Sequence, residues 1–298
     1  MNAGGVVLAV TSRGNREAPP VVVLHGFTGS ATTMAGVSAA LGEAYRVHAL
    51  DLVGHGESDA PSDPALYTME RCVSQVLAVL DALGIRRAHF VGYSMGGRVA
   101  LSLAVARPTR VASLVLIGVS PGERDPAARA ARVEADASLA QAILEGGIEA
   151  FVDRWMALPL FASQRRLGEE ALAEARTQRL ACRPHGLANS LRGMGSGAMP
   201  PLHAHLAGLD IPVLWVVGAE DTKFRALADG LRGALPRAQV RVIPEAGHAA
   251  HLEQPAAFGA GCLAFLRAVA AETEARPQSD PNPTPTDVRQ GPGEKRLP

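Results

Sequence analysis

The feature that most constrains this chain is a serine flanked by glycines: Gly92 and Gly96 each stand two residues from Ser94. An apolar, strand-like stretch at 88–91 precedes the serine, and a helical stretch at 99–106 follows it. This context is typical of a nucleophile elbow, in which the serine lies on a strained turn at the head of a helix. The glycines let strand and helix approach closely. The pattern therefore predicts an α/β fold with a reactive hydroxyl at Ser94.

Strand-like apolar segments alternate with helical ones in the first and last parts of the chain. Strands are predicted at 6–11, 21–24, 47–50, 88–91, 113–118, 213–217 and 240–243, with a helix over 67–83. Such alternation predicts a mostly parallel, doubly wound sheet that is covered by helices on both faces.

The middle and the end of the chain differ from this pattern. Over 121–206, strand-like runs are absent and Ala, Arg, Glu and Gln recur at helical spacing, which we interpret as an inserted helical cap. The cap divides the core into residues 1–120 and 207–271. Residues 272–298 are rich in Pro, Asp, Thr, Gln and Gly, which predicts a disordered tail.

Composition narrows the class of protein. The chain has 298 residues, 47% of them hydrophobic, which is enough for one large core with an insert. Its 29 basic residues balance 29 acidic ones, so no basic face for nucleic acid is indicated. Cys72, Cys182 and Cys262 are odd in number and lack metal-ligand spacing, which predicts reduced thiols and no metal site.

The same composition gives an expectation about location. The N-terminus lacks a secretory signal, and no apolar run approaches the roughly 18 residues that a membrane span needs. We expect a cytoplasmic protein without a membrane or nucleic-acid partner, as a monomer or a small homo-oligomer.

A serine hydroxyl becomes a strong nucleophile or base when an imidazole takes its proton and a carboxylate orients that imidazole. In this context the partners follow in the order Ser, acid, His. Asp221 follows the strand at 213–217, and His248 follows the strand at 240–243, so both are expected at one sheet edge. Glu220 is the alternative acid, with Asp221 then only a helix cap, and His251 is the alternative base.

Two backbone amides are expected to form an oxyanion hole. One belongs to Met95, which follows the serine, and the other to Phe27, in the loop after the strand at 21–24. His25 and Gly26 are predicted to shape that loop. The run 51–58 is interpreted as structural, so His55 is not expected to be the base.

Five ordered motifs together resemble the α/β-hydrolase superfamily over about residues 5–270: HGFTG (25–29), DLVGHGES (51–58), VGYSMGG (91–97), GAED (218–221) and AGHAAH (246–251). The resemblance implies the fold of that superfamily, with an inserted helical cap. The superfamily spans esterases, lactonases, carbon–carbon hydrolases, dehalogenases and lyases, so the fold alone does not give the function. Dehalogenases carry an aspartate at the elbow, and Ser94 argues against them.

Three further stretches resemble the 2-succinyl-6-hydroxy-2,4-cyclohexadiene-1-carboxylate (SHCHC) synthase family: GYSMGGRVA (92–100), RWMALPLFAS (154–163) and DTKFRALA (221–228). This resemblance implies a lyase of menaquinone biosynthesis that acts on a small polycarboxylate without a cofactor. In that family the triad abstracts a ring proton and so drives 2,5-elimination of pyruvate. The alternative is an esterase or carbon–carbon hydrolase with Ser94 as covalent nucleophile. A ligand-binding protein without activity is disfavoured by the full triad.

Arg98 bears on this choice, because it lies four residues after Ser94 and shares a helix face with it. A cation buried there is costly unless it meets a carboxylate, which a substrate could supply through two parallel hydrogen bonds. The alternative is an internal pair with a protein acid. An esterase pocket for neutral acyl groups has no use for this guanidinium.

The family resemblance also implies residues around the ring and the carboxylates. They are Tyr93, Trp155 and Phe161 on the apolar side, and Arg132 and Arg179 as further carboxylate clamps, with Arg129 and Arg176 as competitors in the register. Trp155 and Phe161 could equally be ordinary packing aromatics. Met156 departs from the family, since some members have an aromatic residue there.

Overall fold

The structure is a computed structural model that describes residues 1–275. Its sheet contains the strands β1 (Val10–Arg13), β2 (Pro20–Leu24), β3 (Arg46–Leu50), β4 (Ala88–Tyr93), β5 (Val111–Ile117), β6 (Val213–Gly218) and β7 (Ala238–Ile243). The strand order is β1-β3-β2-β4-β5-β6-β7. Strand β1 is antiparallel to β3, and the other pairs are parallel. The predicted mostly parallel sheet of an α/β-hydrolase fold is therefore confirmed.

The α-helices connect these strands or lie between them. They are α1 (Ala35–Leu41), α2 (Met69–Ala82), α3 (Met95–Ala106), α4 (Pro126–Met156), α5 (Glu169–Leu180), α6 (Pro184–Met194), α7 (Thr222–Leu231), α8 (Ala250–Glu253) and α9 (Pro255–Ala275).

The interior strand β2 shows why the sheet is covered on both faces. Its side chains from Val21 to Leu24 are buried, and they alternate between two hydrophobic clusters. Val22 and Leu24 join the cluster that contains apolar residues of α2, α3 and α7. Val21 and Val23 join the cluster that contains those of α1 and α9. A strand buried on both faces is continuously apolar rather than alternating, which is the pattern seen in its sequence.

The first predicted strand is displaced. Residues 6–9 lie outside any strand, and β1 starts at Val10. Gly4 and Gly5 have φ of +67° and +90°, and they turn the chain so that Asn2 and Val7 form an isolated bridge. Val6 and Leu8 are nevertheless buried in the core. Their alternating apolar pattern therefore reflects burial of these side chains in a turn and not a β-strand.

Helices α4, α5 and α6 lie between β5 and β6, where the helical cap is predicted; we call residues 121–206 the insert. A third hydrophobic cluster packs α4 against α6. Helix α4 is interrupted at Gly147, whose φ of +77° is outside the helical range. The limits of the cap as a domain, and the division of the core around it, stay a prediction.

The C-terminal helix α9 overlaps the predicted tail. It continues to Ala275, so the expectation of disorder from residue 272 is wrong for 272–275, and 276–298 lie outside the described residues. Within residues 1–275, α9 is the one helix long and apolar enough to cross a membrane, with a mean hydropathy of 1.3. Its Phe258, Phe265 and Leu266 are buried against the sheet, and core helices commonly pass this test.

Candidate active site

The elbow places Ser94 between β4 and α3. Ser94 has φ +47° and ψ −106°, a strained conformation for a residue with a side chain. A Cβ on Gly92 would lie 2.5 Å from the Cα of Gly97, and one on Gly96 would lie 2.5 Å from the carbonyl oxygen of Leu24. Glycine at these positions is therefore required by the close approach of strand and helix, as the sequence predicts. The hydroxyl stands at the N-terminus of α3, where negative charge is favoured.

Ser94, His248 and Asp221 form a hydrogen-bonded series at the carboxyl ends of β4, β7 and β6. The Nε2 atom of His248 lies 3.2 Å from Ser94 Oγ, and its Nδ1 atom lies 2.8 Å from Asp221 Oδ2. The His248 and Asp221 side chains are buried, with 2% and 4% exposure. Asp221 Oδ1 also accepts a hydrogen bond from the Phe224 amide at 3.3 Å and so caps α7. The two roles weighed for Asp221 therefore coexist.

The alternative residues lie elsewhere. The carboxylate of Glu220 accepts hydrogen bonds from Arg166 rather than from His248. His251 is buried against Tyr93, with ring centroids 4.5 Å apart, and burial lowers its pKa to about 3. His55 is buried beside His25, and burial lowers its pKa to about 3.

The loop after β2 is held by His25. Its Nε2 atom accepts a hydrogen bond from the Leu52 amide at 3.0 Å, so its Nδ1–H donates to the carbonyl of Gly26 at 2.8 Å. Burial lowers the pKa of His25 to about 4, which keeps the ring neutral and this pattern intact. Phe27 and Met95 both border the cavity at Ser94. Neither backbone amide has a hydrogen-bond partner within residues 1–275.

A cavity of about 390 Å³ opens above Ser94, between the sheet edge and the insert. Its size suits a small molecule. Of the residues predicted from sequence, it is lined by Phe27, Tyr93, Ser94, Met95, Arg98, Arg132, Trp155, Phe161 and His248.

Arg98 lies in this cavity without an acid partner. Its Nη2 donates to the carbonyl of Met194 at 2.9 Å, and its buried Nε has no partner in the described part of the chain. No carboxylate of residues 1–275 lies within ion-pair distance of it. Burial, and then the charge of Arg132, lower the pKa of Arg98 to about 10. The guanidinium therefore borders the cavity and keeps a donor without a protein partner in the described residues.

The predicted clamps from the insert differ from each other. Arg132 lines the cavity, but its Nε donates to Asp136 at 2.9 Å, and Asp136 lines the cavity as well. Arg179 instead borders a second cavity of about 340 Å³, which shares Phe27 and Tyr93 with the first. Its buried Nε has no partner among the residues described.

The competing arginines do not reach the cavity at Ser94. Arg129 donates to the carbonyl of Gly197 at 2.9 Å, and Arg176 pairs with Asp153 at 3.0 Å on the surface of the insert.

Aromatic rings form another part of the cavity wall. Trp155 lies 5.2 Å from Phe27 and 5.6 Å from Phe161 between centroids, and Phe161 lies 6.4 Å from His248. Trp155 and Phe161 thus both pack together and border the cavity. Tyr93 lies beside His248, and burial raises the pKa of its phenol.

Sequence reasoning missed several lining residues. Lys223 carried a signal, since it is one of two lysines in the chain and lies two residues after Asp221. The others come together only in the folded chain; they include Ser120, Glu123, Asp136, Ser190, Ser196 and Phe224.

Comparison with known proteins connects this geometry to a family. A family model described as the alpha/beta hydrolase fold matches residues 19–255. The chain is 40% identical over 265 residues to a Bacillus subtilis (strain 168) protein provisionally named as an SHCHC synthase, which covers 89% of this chain and 96% of that protein. The SHCHC synthase of Enterobacter sp. (strain 638) is 36% identical over 257 residues, covering 86% and 94% of the two chains.

Solved structures agree. MenH from S. aureus has a TM-score of 0.84 and 32% identity, over 88% of this chain and 98% of that one. The enol-lactonase from Burkholderia xenovorans LB400 has a TM-score of 0.78 and 26% identity, over 89% and 98%. The chain therefore belongs to the enzymes with the α/β-hydrolase fold and, among them, to the SHCHC synthase family.

Proposed function

We propose that this protein is the menaquinone-pathway lyase that eliminates pyruvate from the succinyl-enolpyruvyl-hydroxycyclohexene-carboxylate intermediate to give SHCHC. The observation that carries the proposal is the guanidinium of Arg98, whose Nε is buried and unpartnered, which has no carboxylate of residues 1–275 within ion-pair distance, and which lies one helical turn beyond Ser94. A buried cation without a counter-ion is costly, and a substrate carboxylate removes that cost. The relatives named as SHCHC synthases support the same reaction.

Proton abstraction begins the reaction. Asp221 holds the Nδ1–H of His248, so Nε2 is free to accept the hydroxyl proton of Ser94. The Ser94 oxygen then takes the ring proton next to the succinyl carbonyl. The electron pair of that C–H bond moves into the carbonyl system and leaves negative charge on the oxygen.

Elimination completes it. The electron pair returns through the ring double bond and breaks the C–O bond to the enolpyruvyl group. The leaving enolate takes the proton held by His248 and becomes pyruvate. The amides of Phe27 and Met95 are placed in this scheme as donors to the developing oxyanion, and in a comparable hole the loss of one donor costs about 3–4 kcal/mol.

In this scheme, residues that line the cavity orient the substrate. Arg98 binds a carboxylate through two parallel bonds, and Arg132 and Lys223 supply further positive charge around the same cavity. Tyr93, Trp155 and Phe161 flank the ring. The role predicted for Arg179 requires a substrate arm to pass between Phe27 and Tyr93 into the second cavity.

The second candidate function is a serine hydrolase, and the similarity to an enol-lactonase structure favours it. It uses the same triad with Ser94 as a covalent nucleophile. The two candidates differ in what they require of Arg98, since hydrolysis of a neutral acyl group leaves this cation unpaired.

The deciding experiment supplies purified protein with the enolpyruvyl-cyclohexene intermediate and follows diene absorbance and pyruvate. We expect pyruvate release well above the spontaneous rate, and loss of that excess in His248→Ala. Release at the spontaneous rate, together with rapid turnover of p-nitrophenyl esters, would reject the lyase in favour of the hydrolase.

A further inference from the structure

The loop that carries His248 is hydrogen-bonded by one buried carboxylate, that of Glu253 in α8. Its Oε2 accepts a hydrogen bond from the Gly247 amide at 2.8 Å, and its Oε1 accepts one from the Ala249 amide at 3.2 Å. These are the residues on either side of His248. The Glu253 side chain is 3% exposed, and it does not border the cavity at Ser94.

This carboxylate is well suited to keep the His248 ring in place. Residues 244–249 lie between β7 and α8 without regular structure, so no ladder of backbone hydrogen bonds holds them. Hydrogen bonds to an ionised acceptor are stronger than those between neutral groups, and two of them in parallel restrain the loop in rotation as well as position. A buried charge is retained at a cost only where such bonds satisfy it.

Arg166 connects this carboxylate to the insert. Its Nη1 and Nη2 both donate to Glu220 Oε2 at 3.0 Å, and Nη2 also donates to the carbonyl of Glu245 at 3.0 Å. The same Nη2 lies 3.9 Å from the Glu253 carboxylate. Glu220 precedes Asp221, and Glu245 lies in the His248 loop. One insert side chain therefore contacts both loops that carry His248 and its acid.

Arg166 also shares a short helical segment with a residue of the cavity wall. The segment is a 3₁₀ helix over Pro159–Leu167, and it includes Phe161, which borders the cavity beside His248. Seating of this segment on the core thus brings the cavity wall and the Arg166 contacts together.

We propose that Glu253 is a positioning residue for His248 and that Arg166 couples the seating of the insert to this clamp. Neither residue touches the substrate. The proposal rests on the proposed roles of Ser94 and His248.

Glu253→Gln is the main test, because the new NH2 group faces a backbone N–H that needs an acceptor. Misplacement of a catalytic group by about 1 Å costs about 10- to 100-fold, and we expect kcat to fall by this factor with KM within about two-fold of wild type. The rate at which a fluorophosphonate labels Ser94 should fall in parallel. Glu253→Asp, which keeps the charge but is one methylene shorter, should lose part of both rates. Glu245→Gln on the same loop is the matched control, expected to leave both unchanged.

Arg166→Gln tests the coupling at an exposed position, with the adjacent exposed Arg165→Gln as its control. Because the ion pair with Glu220 is about half exposed, we expect only a two- to five-fold loss of kcat/KM, roughly the range of exposed pairs, and a smaller loss at high salt.

Each outcome decides one claim. Unchanged kcat and labelling in folded Glu253 variants, checked by thermal unfolding, would overturn the clamp, as would a rise in KM alone. If the Glu253 variants do not fold, equal rates for Arg166→Gln and Arg165→Gln overturn the proposal. Wild-type protein that is labelled at Ser94 but releases no pyruvate refutes the proposed function and leaves the labelling rates as the test of the clamp. An unlabelled wild type contradicts both.

Discussion

Two groups of polar side chains at the cavity differ in how completely they are hydrogen-bonded. In the triad, Ser94, His248 and Asp221 bond to one another, and the spare oxygen of Asp221 caps α7. In the second group, the Nε of Arg98 and the Nε1 of Trp155 are buried without partners in the described chain.

We interpret this difference as an indication of where a ligand binds. Buried donors without acceptors are uncommon in folded proteins and each costs about 1–3 kcal/mol. The triad is already hydrogen-bonded before substrate binds, and electrostatic catalysis depends on such preorganised groups. We expect the Arg98 and Trp155 donors to find acceptors only when a ligand binds. Substitutions in the triad should therefore lower the rate. Substitutions in the second group should weaken substrate binding and raise the free energy of unfolding.

The largest effect should come from Asp221→Asn in the triad. The asparagine NH2 group favours the tautomer of His248 that cannot accept the Ser94 proton, and a loss in kcat of about 10⁴-fold is expected. Pyruvate release under saturating substrate measures it. Asp229→Asn, an exposed acid in α7, is the control, and a loss below tenfold in Asp221→Asn would contradict the assignment.

Arg98→Met should reduce kcat/KM by about 10²- to 10³-fold, because a desolvated pair with the substrate carboxylate is lost. The free energy of unfolding of the ligand-free protein should rise by about 1 kcal/mol, since a buried cation without a counter-ion is removed. Urea denaturation and pyruvate assays check the two signs. Arg192→Met on the exposed face of α6 should change neither. An Arg98→Met variant with unchanged stability and full activity would remove the distinction between the two groups.

The stability of the protein at acid pH should depend on buried neutral histidines such as His251. Burial lowers the pKa of His251 from 6.5 to about 3, so between these values the unfolded chain binds a proton that the folded protein does not. The free energy of unfolding should therefore fall as pH drops below 6.5, by about 1.4 kcal/mol per pH unit from this residue. Denaturation at pH 7.5, 6.0 and 5.0 measures the slope, which should be shallower in His251→Asn. Equal slopes in the two proteins would refute this contribution.

The smallest expected effect concerns the two unpartnered indoles. Trp155→Phe removes the unpartnered indole N–H of a residue that borders the cavity, and KM should rise by about two- to ten-fold, the value of one hydrogen bond. Trp215→Phe removes an equally unpartnered N–H inside β6, away from the cavity, and should leave KM unchanged. Similar KM changes in both variants would contradict the expectation that the Trp155 N–H donates to a ligand.

Much of the sheet and the triad could be predicted because the signals are local. A strand buried on both faces must be apolar throughout, and a strained turn between strand and helix must have glycines beside Ser94. Asp221 and His248 could be assigned because each follows such a strand within a few residues. The same reasoning was misled at residues 6–9, where buried side chains belong to a turn.

The arginines mark the limit of this reasoning. Arg129 and Arg132 differ by three positions on α4, yet only Arg132 borders the cavity, and Arg179 borders the neighbouring one. Which face a helix turns to a cavity depends on how the insert packs on the core, and a long flexible side chain adds further freedom. The same holds for Glu220, whose ion pair is made by Arg166 from the insert. The sequence by itself thus determined the sheet, the elbow and the triad through local backbone requirements. Only the tertiary structure decided which charges meet at the cavity, because those contacts join segments far apart in the chain.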